Sequence, residues 1–216
     1  MTGPVRHDVT VDPVAGIVLD IGNVVVRWDV RALYRTVFDD PDEMERFLAD
    51  VWTPMENDRC DRGTSYAVVI EETVARHPTH ETAIRAAWDR WIETIPGAVD
   101  GMLELIQELS AAGYPLYALS NFSAETFPLV RAAYPHFTYF ADILISGEHP
   151  PLAKPDPAFF ELLSERTGHE PSELVFVDDA SPNVVAAAAL GFRAVLFTDA
   201  PSLRRDLARL GVAVSA

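Results

Sequence analysis

The side chains able to do chemistry fall in four short segments: Asp20 with Gly22 and Asn23, Ser120–Asn121, Lys154, and Asp178–Asp179 followed by Asn183. Each segment ends a short apolar run or lies in the loop after one. Three carboxylates gathered in one crevice repel each other unless a cation or a proton intervenes. Oxygen ligands with room for water suit Mg²⁺, which typically takes one or two carboxylates together with phosphate oxygens. A lysine and a hydroxyl–amide pair beside them would supply the donors that an incoming phosphate needs. Taken singly, each residue has a plainer reading: Asp20 as a turn or capping aspartate, Asn121 and Asn183 as local helix caps. The fold has to gather them.

Val14–Leu19 is a nearly unbroken apolar run stopped by Asp20 and Gly22, the pattern of a strand buried on both faces of a parallel sheet. Ligands of open α/β sheets sit outside the carboxyl ends of the strands, where Asp20 falls. Val24–Val26 is a second extended piece. Helices are expected over 30–38 and 41–50, where Pro41 suits a first turn after Asp39–Asp40. A loop is expected over 51–63, then helices over 64–76 and 79–94. The stripe Ile84, Trp88, Trp91 in the last of these has helical spacing and is expected to be packing.

From Ile95 strands and helices alternate. Helices are expected over 99–112 (closed by Gly113), 123–133, 155–167 (before Gly168), 181–190 and 201–210, with strands over 115–119, 142–145, 174–177 and 193–197. Such alternation predicts an α/β fold, a doubly wound parallel sheet with right-handed crossovers. The purely helical stretch after the first strand is too long for a simple crossover and is expected to be an inserted α-helical cap domain over the strand ends. The boundaries are 1–13 for a loose N-terminal extension, 14–27 and 96–216 for a Rossmann-like core, and 28–95 for the cap.

With 33 acidic and 17 basic residues, the net charge of −16 argues against nucleic acid or an anionic membrane as partner. A locally positive phosphate site remains open through a metal and a lysine. The 49% hydrophobic and 23% charged content fits a soluble globular protein. The single cysteine, Cys60, excludes an intramolecular disulfide, fits a cytoplasmic location, and is expected to be an ordinary side chain. No stretch approaches the apolar length that spans a bilayer, and residues 1–13 lack the apolar segment of a signal peptide. His136 and His149 lack partners at metal-ligand spacing and are expected at the surface. A monomer or homodimer is expected.

The chain resembles the haloacid dehalogenase-like (HAD) superfamily of hydrolases over about residues 14–212. The resemblance is carried by D-I-G-N-V-V at 20–25, L-S-N at 119–121, A-K-P-D-P at 153–157 and F-V-D-D-A-S-P-N at 176–183. It implies that Asp20 is a nucleophile forming an aspartyl intermediate, which splits hydrolysis into two easier steps. It implies Mg²⁺ held by the Asp20 carboxylate, the Gly22 carbonyl and Asp179, with Asp178 binding a metal water or orienting the shell and Asn183 supporting it. Ser120 and the Asn121 backbone would contact phosphate oxygens, and Lys154 would neutralise the nucleophile and the phosphoryl charge. The implied partner is a small phosphorylated molecule.

Most phosphatases of this superfamily carry a second aspartate two residues after the nucleophile as general acid and base, and here that position is Gly22. Loss of such a group costs on the order of 10²–10⁴ in rate. The D-x-G-N motif, the downstream Trp28–Asp29 and the D-R-G at 61–63 look like the glucose-1-phosphate phosphatase branch, whose leaving group is good. The alternatives are a 2-haloacid dehalogenase, which needs no leaving-group proton, and a catalytically weak binding protein. The paired Asp178–Asp179 speaks against the dehalogenase, since dehalogenases work without metal. Substrate choice is expected to lie in the cap, with Trp28, Trp52, Met55, Glu56, Arg59 and Arg62 as candidates. The two arginines can equally pair with Asp58 and Asp61. Asp29 or Glu56 could replace the missing acid.

Overall fold

The computed structural model describes residues 13–215, so the expectation for the first twelve residues lies outside it. The apolar run before Asp20 forms β1 (Gly16–Leu19), fully buried as its composition demands. A short β2 (Val26–Arg27) leads into five helices: α1 (Val30–Tyr34), α2 (Pro41–Asp50), α3 (Pro54–Asp61), α4 (Tyr66–Arg76) and α5 (Glu81–Asp89). Then β3 (Gly97–Ala98) pairs antiparallel with β2, so the chain enters and leaves the helical insertion through one two-stranded stem. The remainder is α6 (Met102–Ala111), β4 (Leu116–Ser120), α7 (Phe127–Ala133), β5 (Phe140–Ile145), α8 (Pro157–Thr167), β6 (Leu174–Asp178), α9 (Ser181–Ala189), β7 (Arg193–Leu196) and α10 (Ala200–Arg209).

Five strands form a parallel sheet in the order β5-β4-β1-β6-β7. Residues alternate between its faces at the two-residue period of a strand. Ile17, Leu19, Ala118, Val175 and Val177 join one core with α6, α7 and α10, whereas Val18, Leu119, Phe160 and Phe176 form the other with α8 and α9. Helices on both faces make the sheet doubly wound, as the sequence predicts. The insertion's own core, including Tyr34, Phe47, Trp52, Tyr66 and Ile84, is continuous with the first of these clusters. No helix of the described residues is long and apolar enough to cross a membrane.

Three expectations need correcting. Residues 51–63 contain a helix, α3, where a loop was expected. Thr53 and Glu56 form a reciprocal capping box and Pro54 occupies the first turn, so every N-terminal signal of a helix was present. The helix expected over 79–94 is three pieces, a 3₁₀ turn at 78–80, α5, and a second 3₁₀ turn at 91–94. His136 and His149 are half-buried, with His149 packed against Phe159.

Candidate active site

Register places the polar residues on one edge. Leu19 pairs with Ala118 and with Val177, so Asp20, Ser120 and Asp178 leave the sheet side by side. The chain runs to opposite sides of β1 through β4 and β6, which makes the end of β1 the topological switch point where a crevice opens.

Lys154 arrives from the loop between β5 and α8, and Asn121 clamps its backbone. The Lys154 N–H donates to Asn121 Oδ1 at 2.8 Å, and Asn121 Nδ2 donates to the Lys154 carbonyl at 2.9 Å. Asp156 caps α8 immediately afterwards, accepting from the Ala158 N–H. Thus held, Lys154 Nζ lies 2.9 Å from Asp20 Oδ1 and 2.6 Å from Asp178 Oδ2, all three residues being buried. Asp178 also accepts from Asn183 Nδ2 on both oxygens at 3.1 Å and from the Ala180 N–H at 2.8 Å.

Carboxylate oxygens of Asp20, Asp178 and Asp179 lie within 4.8 Å of one another. Burial pushes the Asp20 carboxyl up to about 6; Lys154 pulls it down and the Asp178 charge adds to the rise. Asp179 is raised by burial and by Asp178. One lysine among three carboxylates leaves two negative charges, which a divalent cation matches. The donors are hard oxygens, and Asp179 is exposed enough to leave room for water, so the residues fit Mg²⁺.

Beyond Asp20 the chain folds back sharply. Asn23 sits at φ 56°, a left-handed conformation that asparagine tolerates. The N–H groups of Val25 and Val26 both donate to the Ile21 carbonyl, and Asn23 Oδ1 accepts from the Trp28 N–H at 2.9 Å. This turn carries Trp28 to a cavity of about 180 Å³. Asp20, Gly22, Asn23, Asn121, Phe122 and Asp179 bound the cavity from the sheet edge and its loops; Trp28, Asn57, Asp61 and Trp91 bound it from the insertion. Trp28 and Asn57 also line an adjoining pocket of about 90 Å³ with Trp52.

Of the expected site residues, Asp20, Gly22, Asn121 and Asp179 reach the cavity surface. Lys154, Asp178 and Asn183 lie behind it as the charged and polar support just described. Ser120 is only 1% exposed and turns its hydroxyl toward the Asp20 carboxyl, so the loop residues Asn121 and Phe122 face the cavity there. The Asn121 side chain is occupied by the Lys154 backbone, not by a helix cap.

The insertion reverses more expectations. Trp28 lines the cavity and Trp52 its neighbour, but Met55 is 69% exposed to solvent. Arg59 pairs with Glu72 and Arg62 with Asp58. Asp29 caps α1 and meets Arg35, while Glu56 is held by Thr53 and Arg76, with its carboxyl kept below the usual range by those hydrogen bonds against the effect of burial. Neither acid lines the cavity. The expected packing stripe holds at Ile84 and Trp91, both in the core, and fails at Trp88, which is exposed; Trp91 also forms a cavity wall, edge-on to Phe122 at 5.7 Å. Cys60 is buried and its thiol pushed up to about 12 by burial, an unreactive side chain.

Asp61 is the residue that sequence reasoning missed. It has no ion pair among the described residues, because Arg62 turns to Asp58 instead. Asn57 Nδ2 donates to its carboxylate at 2.8 Å, one helical turn away. Burial pushes its carboxyl up to about 8, with Asp58 and Asp20 adding to the rise and Arg62 opposing it. The missed signal is the T-P-M-E start of α3: recognising the helix puts Asn57 and Asp61 on one face.

Residues 14–191 match the family model described as haloacid dehalogenase-like hydrolase. The chain is 34% identical over 121 residues to flavin mononucleotide hydrolase 1 of Arabidopsis thaliana, covering 54% of this chain and 47% of that protein. It is 26% identical over 199 residues to a drimenol cyclase of Aspergillus calidoustus, covering 91% of this chain and 36% of that protein. The chain therefore spans half or less of these relatives. A HAD family enzyme of Bacteroides thetaiotaomicron, solved with magnesium and inorganic phosphate, superposes with a TM-score of 0.67 at 19% identity, over 87% of this chain and 95% of that one. That likeness is one of fold.

Proposed function

The chain belongs to the haloacid dehalogenase-like hydrolases, and from that premise we propose that it is a Mg²⁺-dependent phosphatase of a small phosphomonoester, acting through an aspartyl phosphate on Asp20. One observation carries the reading: three carboxylates and one buried lysine converge at the end of β1 and open onto the cavity. The Asp20 carboxylate attacks phosphorus, the ester oxygen departs, and water then releases phosphate from Asp20. Asp20, the Gly22 carbonyl and Asp179 would hold Mg²⁺, which when bound neutralises phosphoryl charge. Lys154 holds Asp20 ionised and oriented, and adds positive charge where the phosphoryl oxygens gather. Asn121 fixes Lys154, and Asn183 fixes Asp178.

The cavity also narrows the substrate class. Among the described residues no arginine or lysine lines it, and Arg31, which lines the adjoining pocket, is held by Glu45 at 2.6 Å. A leaving group with its own carboxylate or second phosphate would find no partner there. A neutral one can meet the Asn57 amide and pack against the indoles of Trp28 and Trp52. The same lack of a cation disfavours 2-haloacids, whose carboxylate needs one.

The test is phosphate release from a panel of sugar-1-phosphates, sugar-6-phosphates, nucleotides and an aryl phosphate, with and without Mg²⁺, for wild type and Asp20→Asn. Mg²⁺-dependent release abolished in Asp20→Asn is the expected result. Release unaffected by the substitution, or absent from every ester, refutes the proposal.

A further inference from the structure

We propose that Asp61 is the proton donor to the leaving-group oxygen and the base for the attacking water, in place of the carboxyl that Gly22 lacks. The inference rests on the phosphatase reading. Among the described residues Asp20, Asp61 and Asp179 are the carboxylates lining the cavity. Two of them belong to the charged cluster at the sheet edge, and Asp61 lies outside that cluster. Asp29 and Glu56 are engaged elsewhere.

The fold holds Asp61 at the cavity wall. Its carboxylate is fixed by Asn57. Its backbone carbonyl accepts from Ser146 Oγ at 2.5 Å, and Ser146 Oγ in turn accepts from the Phe122 N–H at 3.0 Å. The last turn of α3 is thereby tied to the loops after β4 and β5, and Asp61 is referenced to the sheet that carries Asp20. The rings of Trp91 and Phe122 line the same cavity. The charged groups facing it are Asp58 and Arg62 from its own helix end and Asp20 from β1, and the balance favours the protonated acid at neutral pH. An acid kept neutral at working pH is what a departing alkoxide needs.

In the first step the P–O bond of the ester breaks as the Asp20–P bond forms, and the Asp61 proton passes to the leaving oxygen. In the second, water attacks phosphorus and gives its proton to the Asp61 carboxylate. The Asp20–P bond then breaks, and both groups return to their starting forms.

The test compares Asp61→Asn with wild type on an alkyl and an aryl phosphate, with saturating Mg²⁺. An aryl oxide departs without a proton and an alkoxide does not. The variant is therefore expected to lose on the order of 10²-fold or more in kcat/KM on the alkyl ester, the scale of a lost general acid. Its aryl ester should still release a burst of one phenol per site, followed by slow turnover because the aspartyl phosphate accumulates. The burst shows that the variant is folded and its nucleophile intact. A second measurement uses wild type alone: kcat/KM for the alkyl ester should fall as pH rises through about 8, and the aryl burst should not. Equal losses on both esters, no loss on either, or identical pH profiles overturn the assignment of Asp61. Absence of Mg²⁺-dependent release by wild type would instead refute the phosphatase reading beneath it.

Discussion

Lys154→Met removes the charge between Asp20 and Asp178 while filling most of the lysine's volume. With contacts of 2.9 and 2.6 Å and an effective dielectric of about 20, each pair gains about 6 kcal/mol of Coulombic attraction. Burying the three charges offsets much of that, and removing one partner of a buried pair costs about 3–5 kcal/mol. Asp178 keeps Asn183 and the Ala180 N–H, so the variant should fold. For a domain of this size the cost corresponds to a fall in Tm of about 6–20 °C. The assay is thermal unfolding near pH 7 in chelator and again in millimolar Mg²⁺. Mg²⁺ should raise the Tm of the variant by more than that of wild type, because the divalent ion no longer meets the lysine's repulsion and ligand binding stabilises the fold by mass action. A fall below about 2 °C in chelator, under the scale of 1 kcal/mol, would show that Lys154 does not hold these carboxylates together.

Two further substitutions probe the surroundings. A methyl group at Gly147 would lie 2.4 Å from the Ala124 nitrogen and 2.8 Å from the Phe122 carbonyl oxygen, so Gly147→Ala must move backbone. The expected cost is about 1–3 kcal/mol by thermal unfolding, with a fall in turnover because the same loop supports Asp61; an unchanged Tm would refute that packing. At Gly22 nothing lies within 4 Å of an added Cβ, so Gly22→Asp starts its side chain without a clash. Placed in the Asp61→Asn background it should restore at least about tenfold of the lost alkyl-ester turnover, since general acid catalysis depends on a positioned proton more than on its source. No recovery in a folded, Mg²⁺-binding double variant would argue that proton supply is not what Asp61 provides.

The sequence by itself determined the sheet and the ends of its strands. Val14–Leu19 and Leu174–Val177 carry the apolar runs of strands buried on both faces, realised as Gly16–Leu19 and Leu174–Asp178, and Asp20 and Asp178 fall where a crevice opens. Order along the chain then placed Asp20, Ser120, Lys154 and Asp178–Asp179 on one edge. Glycines at positive φ ended the helices as expected, at Gly113 and Gly168.

Only the tertiary structure decided what each polar group faces. A side chain's partners come from segments dozens of residues away, and local pattern carries no record of them. Arg62 could pair with Asp58 or Asp61, four residues or one away; helical geometry gave it Asp58 and left Asp61 to the cavity. Ile84, Trp88 and Trp91 share one apparent stripe, yet Trp88 is exposed while Ile84 is in the core and Trp91, beyond the end of α5, is buried against the cavity. Asn121 resembles a cap or a phosphate ligand in sequence, but its amide is matched to the Lys154 backbone because β4 and the loop before α8 meet there. Strand identity follows from short-range apolar periodicity, whereas the pairing of a charge follows from packing between elements. The convergence of Asp20, Lys154 and Asp178 was therefore legible in the sequence, and the exposure of Asp61 to the cavity was not.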